Sequence, residues 1–410
     1  MKKSITVLIA LLCLQSLDSQ TWVRKLDGIS MWSLVKDFSG NIYAGASGTV
    51  KSIYKSTDGG DMWVEVLSNG ASNFLSIACD SLTNVYAGNV SNGLMKSSNG
   101  GLNWTNVPVS VFNSHSVESV ACGRSGYVYV GCISGGVFRS TDNGATFPVN
   151  VINTLTIVTL AVDRFNPDII YAGASSGSPP NYGFYRSTDG GLTFSSNLNP
   201  FNIWGVAEKL NGDLYTITTS SPYPFHKSTN GGLNWSMQCT LSSAKRGLCM
   251  DLSENFYASG NGGVFKSTDD GMSFSNFNFT FTSNQIINFQ NKILVAASGT
   301  SNGGVYIYTD SLVSIKEIHN TIPKKYVLYL NYPNPFNPET IISYDIAGKS
   351  RVILIIYDIQ GRQVSVLVNQ IQNAGNHKAV WNASDFPSGV YYYNLTADSY
   401  SETKKMVLVK

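Results

Sequence analysis

Charged residues are scarce in this 410-residue chain, where Asp, Glu, Lys and Arg together make up 13% of the residues. That is about half the share usual in soluble proteins. The formal net charge is only +2, and nowhere do three or more Lys or Arg residues follow one another. Proteins that bind nucleic acid carry a basic patch that neutralises phosphates. The composition therefore argues against nucleic acid as a partner.

Long apolar runs are also missing after the N-terminus. There, Lys2 and Lys3 precede an apolar stretch over residues 5–14, which is too short to span a bilayer and is typical of a secretory signal. We expect residues 1–19 to be removed as a signal peptide. A lipoprotein signal at Cys13 is the alternative, although no small residue precedes it. No later segment predicts a transmembrane span, so we expect an exported protein.

Histidine and cysteine are few, with four and six residues. The odd number of cysteines after the signal and the absence of C-x-x-C argue against a disulfide framework or a zinc site. Cys79 and Cys122 occupy equivalent places in two repeats, and we interpret them as small buried hydrophobic residues, with a bridge between them as the alternative. His115 and His226 are isolated, so we predict no metal, no cofactor and no Ser-His-Asp set.

What the sequence does contain is a repeat. Six segments, which we call boxes, share the pattern Ser-x-Asp/Asn-x-Gly-x-x-aromatic and start 39 to 47 residues apart. Ser and Asp side chains hydrogen-bond nearby backbone N–H groups, and Gly adopts positive φ without strain. The defining residues are Ser56, Asp58, Gly60, Trp63; Ser97, Asn99, Gly101, Trp104; Ser140, Asp142, Gly144, Phe147; Ser187, Asp189, Gly191, Phe194; Ser228, Asn230, Gly232, Trp235; and Ser267, Asp269, Gly271, Phe274.

Each box belongs to a unit of four short strands separated by turns. A seventh unit is divided: residues 303–310 match residues 262–269 but lack the aromatic, whereas residues 21–23 around Trp22 align with residues 62–64 around Trp63. The N-terminal segment can therefore supply the outer strand of the last unit and close a ring without free sheet edges. We predict an all-β, seven-bladed β-propeller over residues 20–312. A linear solenoid would need capping ends instead.

The C-terminal region has a different pattern. A linker is expected over residues 313–325, and a proline-rich entry segment enforces an extended backbone. Alternating strands then predict a small Ig-like β-sandwich over residues 326–410. The entry segment consists of Tyr332, Pro333, Asn334, Pro335, Phe336, Asn337 and Pro338.

The boxes resemble the Asp-box (BNR) repeat of sialidases, sortilin-type receptors, xyloglucan-hydrolysing enzymes and photosystem II assembly factors. This resemblance covers residues 20–312 and implies a β-propeller. It says little about activity, because unrelated functions share the repeat.

The C-terminal region resembles the type A sorting domain of type IX secretion cargo. The resemblance rests on the proline-rich segment together with Gly361, Arg362, Gly389 and Tyr391. It implies passage across the outer membrane of a Bacteroidetes-like bacterium by the type IX machinery, usually followed by removal of the domain. The protein is then expected outside the cell or on the outer-membrane surface. An ordinary Ig-like binding module is the alternative.

Candidate catalytic residues are few once the repeat has been assigned. Asp37, Asp80, Asp163, Glu208 and Asp251 recur at one turn, where we interpret them as turn residues. A glycosidase normally needs two facing carboxylates. Only one leftover acid is expected near the channel mouth, and the arginine set of a sialidase is missing. We therefore assign no catalytic residue. A carbohydrate-active enzyme and a periplasmic assembly factor remain the alternatives to a binding protein.

A candidate ligand site lies on the face opposite the boxes. Trp32, Glu118, Trp204 and Arg246 fall near the starts of inner strands. Two longer loops add the tyrosines Tyr182 and Tyr223. Aromatic rings beside polar groups suit sugars or peptides, so we expect non-enzymatic binding of an extracellular glycan or protein. In the alternative interpretation, the tryptophans only fill space between blades.

Overall fold

The computed structural model describes residues 21–68, 73–91, 93–123, 126–176, 182–310, 325–329, 331, 334, 336–398 and 400–409. The chain divides into two compact units, with the boundary after Asp310. The expected signal peptide and nearly all of the expected linker lie outside the described residues. Apart from one 3-10 helix at Val109–Phe112, all regular elements in the described ranges are strands, which confirms the all-β prediction. In these ranges, no helix has the length and apolar character needed to cross a membrane.

The first unit begins with the short strand β1 (Val23–Lys25). Seven four-stranded antiparallel sheets lie within its described residues. Sheets 1 to 3 are β2 (Met31–Lys36), β3 (Ile42–Ala46), β4 (Ser52–Ser56), β5 (Val64–Ser68); β6 (Phe74–Cys79), β7 (Val85–Asn89), β8 (Gly93–Ser97), β9 (Thr105–Val107); and β10 (Val117–Cys122), β11 (Val128–Cys132), β12 (Gly136–Ser140), β13 (Val149–Val151).

The remaining sheets continue in the same way. Sheets 4 to 6 are β14 (Thr156–Val162), β15 (Ile170–Ser176), β16 (Phe184–Ser187), β17 (Ser195–Leu198); β18 (Ile203–Glu208), β19 (Leu214–Thr218), β20 (Pro224–Ser228), β21 (Ser236–Thr240); and β22 (Lys245–Met250), β23 (Phe256–Gly260), β24 (Gly263–Ser267), β25 (Ser275–Phe279). Sheet 7 joins β26 (Ser283–Phe289), β27 (Lys292–Ala297) and β28 (Gly304–Thr309) to β1.

The last sheet is completed by the N-terminal strand, as the sequence predicted. Strand β1 pairs antiparallel with β28, so that Val23 lies opposite Ile307. Trp22 precedes this strand, and its Nε1 donates to the carbonyl oxygen of Phe277 in sheet 6 at 3.1 Å. The first strand of each sheet contacts the first strand of the next sheet, and β26 contacts β2. The sheets therefore form a closed ring, and we call their first strands the inner strands.

Each box forms the turn between the third and fourth strands of its sheet. In the first box, the Ser56 hydroxyl donates to Asp58 Oδ1 and accepts from the backbone N–H of Gly60, both at 2.8 Å. Asp58 Oδ1 in turn accepts from the N–H of Met62 at 2.9 Å. The indole of Trp63 donates to the carbonyl oxygen of Gly60 at 2.8 Å. These bonds explain why the pattern needs Ser and either Asp or Asn, and the left-handed φ of 95° at Gly60 explains the glycine.

The boxes also join neighbouring sheets. Lys55 Nζ and the Tyr43 hydroxyl of sheet 1 both donate to the carbonyl oxygen of Gly100 in the next box, at 2.8 and 3.0 Å. Arg139 and Tyr129 of sheet 3 make the equivalent bonds to Gly190. In these two sheets, the basic residue before the box and the tyrosine of the second strand thus have a structural role between sheets.

Close approach between strands requires a glycine near the start of the first hairpin. Ser33 of the inner strand pairs with Gly45, where an added Cβ would lie 2.4 Å from Ser33 Oγ. The same Cβ would lie 3.0 Å from the carbonyl oxygen of Phe74 in the next sheet. In sheet 5 the glycine lies on the inner strand instead, where Gly205 pairs with Ile217. In both sheets, one of the two paired residues is therefore a glycine.

The second unit is a two-sheet sandwich. Its strands are β29 (Val327–Leu328), β30 (Glu339–Ile346), β31 (Ser350–Tyr357), β32 (Gln363–Gln372), β33 (Gly375–Asn382), β34 (Gly389–Ala397) and β35 (Tyr400–Leu408). One sheet has the order β29-β30-β33 and the other β32-β31-β34-β35. Tyr344, Leu354, Trp381 and Tyr393 from both sheets are buried in one hydrophobic core. Burying such apolar faces against each other is what stabilises a sandwich.

The proline-rich segment is only partly visible, since Tyr332, Pro333 and Pro335 lie outside the described residues. Phe336 is buried in the sandwich core, and its backbone N–H donates to the carbonyl oxygen of Val407 at 3.0 Å. Asn334 Oδ1 accepts from the N–H of Val407 at 2.9 Å. The entry segment is thus attached along the last strand of its own unit.

Other residues of the C-terminal motif close turns. Gly361 has a φ of 77°, which favours glycine, and Arg362 Nε lies 2.7 Å from Asp358 Oδ2 in the same turn. The Tyr391 hydroxyl donates to the carbonyl oxygen of Pro387 at 2.8 Å, just before the strand that begins at Gly389.

Candidate functional site

A β-bulge lies near the start of every inner strand of the first unit. In β2, pairing moves from Met31 opposite Ala46 to Ser33 opposite Gly45, which leaves Trp32 unpaired. Bulges of this kind turn a side chain out of the sheet's regular alternation. The residues left unpaired in the seven inner strands, which we call the bulge ring, are Trp32, Leu75, Glu118, Val158, Trp204, Arg246 and Asn284. All seven line one central cavity of about 700 Å³.

Arg246 is held between two tryptophans of the bulge ring. Its guanidinium carbon lies 5.2 Å from the ring centroid of Trp32 and 5.2 Å from that of Trp204. Its NH1 donates to Asn284 Oδ1 at 3.1 Å, and Asn284 Nδ2 donates to the carbonyl oxygen of Met31 at 3.0 Å. These contacts fix the guanidinium from three other sheets. Burial lowers the pKa of Arg246, and the charge of Glu118 opposes that shift.

Glu118 has apolar neighbours in the bulge ring, with Leu75 on one side and Val158 on the other. Within the described part of the chain, its carboxylate accepts no hydrogen bond and forms no ion pair. Burial raises the pKa of Glu118 to about 7, and the positive charge of Arg246 only partly offsets this rise. The ring therefore contains an acid that titrates near neutral pH and has no donor within the described residues.

The indole N–H of Trp204 is a further polar group whose partner is missing among the described residues. Its Nε1 is buried and makes no hydrogen bond to any of them. The box tryptophans Trp63, Trp104 and Trp235 differ, because each donates to the carbonyl oxygen of its own box glycine. The polar groups of the bulge ring are thus less satisfied than those of the boxes.

Four of the six predicted ligand-site residues come together in this ring, and two do not. Tyr182 packs against a hydrophobic cluster that includes Leu155. Tyr223 packs against a cluster that includes Leu241, and it adopts a left-handed φ of 59°. Neither tyrosine lines the central cavity. Asn284, which sequence reasoning missed, occupies the position equivalent to Trp32 and could have been found by aligning the inner strands.

Other acids that line the cavity already accept hydrogen bonds from backbone N–H groups, Asp251 in its own turn and Glu254 from the preceding sheet. Asp251 accepts from the backbone N–H groups of Ser253 and Asn255 and from the Tyr257 hydroxyl. Glu254 accepts from the N–H of Leu210 at 2.9 Å. Among the acids that line the described cavity, Glu118 is therefore the one without a structural partner.

The described residues contain no group of three His, Cys, Asp or Glu side chains that could hold a metal ion. The five cysteines after residue 20 are free thiols, so Cys79 and Cys122 are not bridged. Burial raises the pKa of both thiols well above the ordinary value. This agrees with the interpretation of these cysteines as buried hydrophobic residues and removes the alternative of a bridge.

Solved structures with a similar fold are β-propellers. YCF48 bound to D1 peptide matches with a TM-score of 0.55 and 14% identity, covering 71% of this chain and 96% of that chain. Virginiamycin B lyase from Staphylococcus aureus matches with a TM-score of 0.59 and 10% identity, covering 71% and 99%. A xyloglucanase from Xanthomonas campestris matches with a TM-score of 0.54 and 13% identity, covering 79% and 59%. At these identities the similarity shows the fold alone.

The C-terminal unit can be assigned more narrowly. Residues 331–410 match the family model of the secretion system C-terminal sorting domain. This match confirms the resemblance inferred for that region and implies export by the type IX machinery to the cell surface or the extracellular space. A comparison of the chain with curated proteins found no match.

Proposed function

We propose that this protein is an exported, seven-bladed Asp-box β-propeller that binds an extracellular ligand at the bulge ring. The observation that carries the proposal is the convergence of Trp32, Glu118, Trp204 and Arg246 on one cavity. Binding sites are concave and combine apolar walls with a few convergent polar groups. The sorting domain supports a site of action outside the cell, after removal of a signal peptide.

Binding without catalysis is favoured by the supply of carboxylates. Glycoside hydrolysis normally uses two acids that flank the scissile bond. Among the acids of the described cavity, only Glu118 is uncommitted, since Asp251 and Glu254 accept hydrogen bonds from backbone N–H groups. A carbohydrate-active enzyme remains the second candidate, because a pKa of about 7 at Glu118 is what a general acid needs near neutral pH.

A peptide and a glycan are both compatible with an aromatic, polar site. Two proteins of similar fold support the two possibilities, since the structure of YCF48 contains bound D1 peptide and the protein from Xanthomonas campestris is a xyloglucanase. A periplasmic assembly role similar to that of photosystem II assembly factors is less compatible with export. It would require the C-terminal sorting domain to be inactive.

Glycan and peptide arrays probed with the full secreted chain test the proposal. We expect Trp32→Ala and Trp204→Ala to weaken binding by at least about tenfold. Leu102→Ala is the matched control, because Leu102 is 78% exposed on a box and lies outside the bulge ring. Array binding that is equal in the wild type, both tryptophan variants and the control would contradict a site at the bulge ring. Turnover of an array glycan that stops in Glu118→Gln would favour the enzyme.

A further inference from the structure

We propose that the bulge ring recognises a zwitterionic ligand, with the anionic group of the ligand on Arg246 and its ammonium group on Glu118. This inference rests on the proposed binding function and specifies the class of ligand. It follows from the way in which the charged and aromatic groups of the ring already contact one another.

Trp32 and Trp204 each contact the guanidinium of Arg246, so these ring faces are not open for a sugar to stack on. Arg246 lies at equal distances of 5.2 Å from the ring centroids of Trp32 and Trp204. The faces turned towards the guanidinium are therefore covered, and a neutral sugar ring cannot stack on them. In this cluster, the guanidinium is therefore the group that can recognise an anionic part of a ligand.

Arg246 lacks an anionic partner. Of its five N–H donors, one bonds to Asn284, and no carboxylate forms an ion pair with it within the described residues. Arg246 is only partly buried, but a charge that is partly withdrawn from water without a counter-ion is still costly. A bound carboxylate or phosphate would offset that cost through charge-assisted hydrogen bonds. Since Asn284 holds the guanidinium in place, little conformational freedom is lost on binding.

Glu118, by contrast, lacks a cationic partner within the described residues. Leu75 and Val158 flank it in the ring, and it has no donor among the described residues. An ammonium group offers three donors and a positive charge, which is the combination that this carboxylate lacks. Burial keeps the acid near its midpoint at neutral pH, and a bound cation would favour the ionised form.

The two charges lie on different sides of the ring, on sheets 3 and 6, and no ion pair joins them directly. Each nevertheless influences the titration of the other. A ligand with a single charge would satisfy one group and leave the other partly buried without a charged partner. A zwitterion satisfies both. The other charged residues that line the cavity, Lys36, Arg164, Asp251 and Glu254, come from the far ends of inner strands and the turns that follow, two of each sign.

Calorimetric titration of the full chain with small zwitterions tests this inference. The probes are glycine peptides of one to four residues, their N-acetylated and C-amidated forms, and phosphoethanolamine as a second source of the same chemistry. Four extended residues span about 14 Å at most, so the series varies the distance between the charges. We expect at least one free zwitterion to bind and each blocked form to bind about tenfold or more weakly.

Variants link each charge of the ligand to one residue. Glu118→Gln should bind the free and N-acetylated peptides equally, and Arg246→Gln should bind the free and amidated peptides equally, because each variant removes the group that discriminates. Arg246→Lys retains the charge and should keep part of the preference, which covers the case in which Arg246→Gln does not fold. Leu102→Ala should bind as the wild type does.

Two outcomes would overturn the inference. One is equal binding of free and doubly blocked peptides. The other is no binding of any zwitterion in the series while an array ligand still depends on Trp32 and Trp204. In that second case the proposed function stands and only the ligand class is wrong. Array binding that is unchanged by substitutions in the bulge ring would instead contradict the proposed function itself.

Discussion

Lys292 Nζ donates to the carbonyl oxygen of Gly59 at 3.1 Å, and these two residues belong to the last and the first sheet of the ring. The same ammonium group lies 3.1 Å from Asp61 Oδ2 in the first box. Lys292 thus repeats, across the point where the ring closes, the type of contact that Lys55 makes with Gly100. Closure uses both strand pairing through β1 and this contact to a box.

Lys292→Met is expected to lower the free energy of unfolding by about 1–2 kcal/mol, because a hydrogen bond from a charged donor to a partly buried carbonyl oxygen is lost. Urea unfolding of the full chain measures the change. Lys25→Met is the control, since Lys25 approaches the same Asp61 carboxylate only to 4.0 Å. If both variants lowered the free energy of unfolding equally, the positive charge near Asp61, and not the hydrogen bond to Gly59, would stabilise the contact between the last and the first sheet.

Trp204→Phe and Trp235→Phe should change the stability of the protein by amounts that differ in sign or size. The first removes a buried indole N–H that has no partner among the described residues, so stability should be unchanged or rise by up to about 1 kcal/mol. The second removes an N–H that donates to the carbonyl oxygen of Gly232 at 3.0 Å and should cost about 1 kcal/mol. Thermal unfolding followed by circular dichroism measures both. A loss in Trp204→Phe as large as that in Trp235→Phe would argue that Trp204 Nε1 has a partner in solution.

Asp142→Asn should flatten the acid limb of the stability profile. The hydrogen bonds from Ser140 and then Thr146 lower the pKa of Asp142 to about 2. Because this pKa is below the unfolded value, the ionised carboxylate contributes stability above about pH 4, and that contribution is lost as the pH falls towards 2. The effect should stay below about 1 kcal/mol, since the side chain is exposed.

The control for that substitution is already present in the chain. Two boxes carry asparagine, and Asn99 Oδ1 accepts from Ser97 and from the N–H of Asn103 as a box aspartate does. We therefore expect almost no change at pH 7. Denaturant midpoints measured between pH 2 and 7 give the change in stability at low pH and at pH 7. A large loss of stability at pH 7 would contradict the equivalence of Asp and Asn in the boxes.

Glu118→Gln should stabilise the protein at high pH and not at low pH. Burial raises the pKa of Glu118 to about 7, so its contribution to stability is complete below the unfolded value near 4.5 and is lost as the pH rises through 7. At pH 8.5 the glutamine variant should be more stable by up to about 3 kcal/mol. The charged group that opposes this shift is Arg246.

Comparison of the variant with the wild type at each pH isolates Glu118. This matters because burial also raises the pKa of Glu208 to about 7, in the same window. Unfolding midpoints at pH 4.5 and 8.5 are sufficient. A gain of equal size at both values would mean that glutamine acts through packing and not through charge.

Deletion of residues 331–410 should prevent the protein from reaching the cell surface or medium of its host. Type IX export depends on the sorting domain that these residues match. Fractionation with an antibody against the first unit measures the location. Normal export of the truncated chain would show that the C-terminal unit is dispensable and would favour its alternative interpretation as a binding module.

The fold could largely be predicted because its repeat depends on short-range chemistry. Ser140, Asp142 and Gly144 hydrogen-bond within five residues, so their spacing is visible in the sequence. The role of Trp22 could also be predicted, because its alignment with Trp63 required only counting. Such local constraints leave a periodic trace.

The remaining features depend on neighbours in space. Glu208 was predicted to be a turn residue, but Lys209 occupies that position, since its N–H bonds to the carbonyl oxygen of Asp213. The Glu208 carboxylate instead accepts from the N–H of Arg164 in the preceding sheet at 2.8 Å. The contacts of Arg246 with Trp204 in the preceding sheet and with Trp32 in the first sheet likewise join different sheets. Periodicity places such residues on one face but cannot show which side chains meet.

The contribution of β1 to the last sheet has a kinetic consequence. Arg24 donates to the carbonyl oxygen of Gly303, which lies 279 residues away along the chain. Contacts between such distant residues form late, because the entropy of the long loop must be lost before they stabilise anything. We therefore expect β1 to pair with β28 in the last step of folding. Once this pairing has formed, the first unit should unfold more slowly than before.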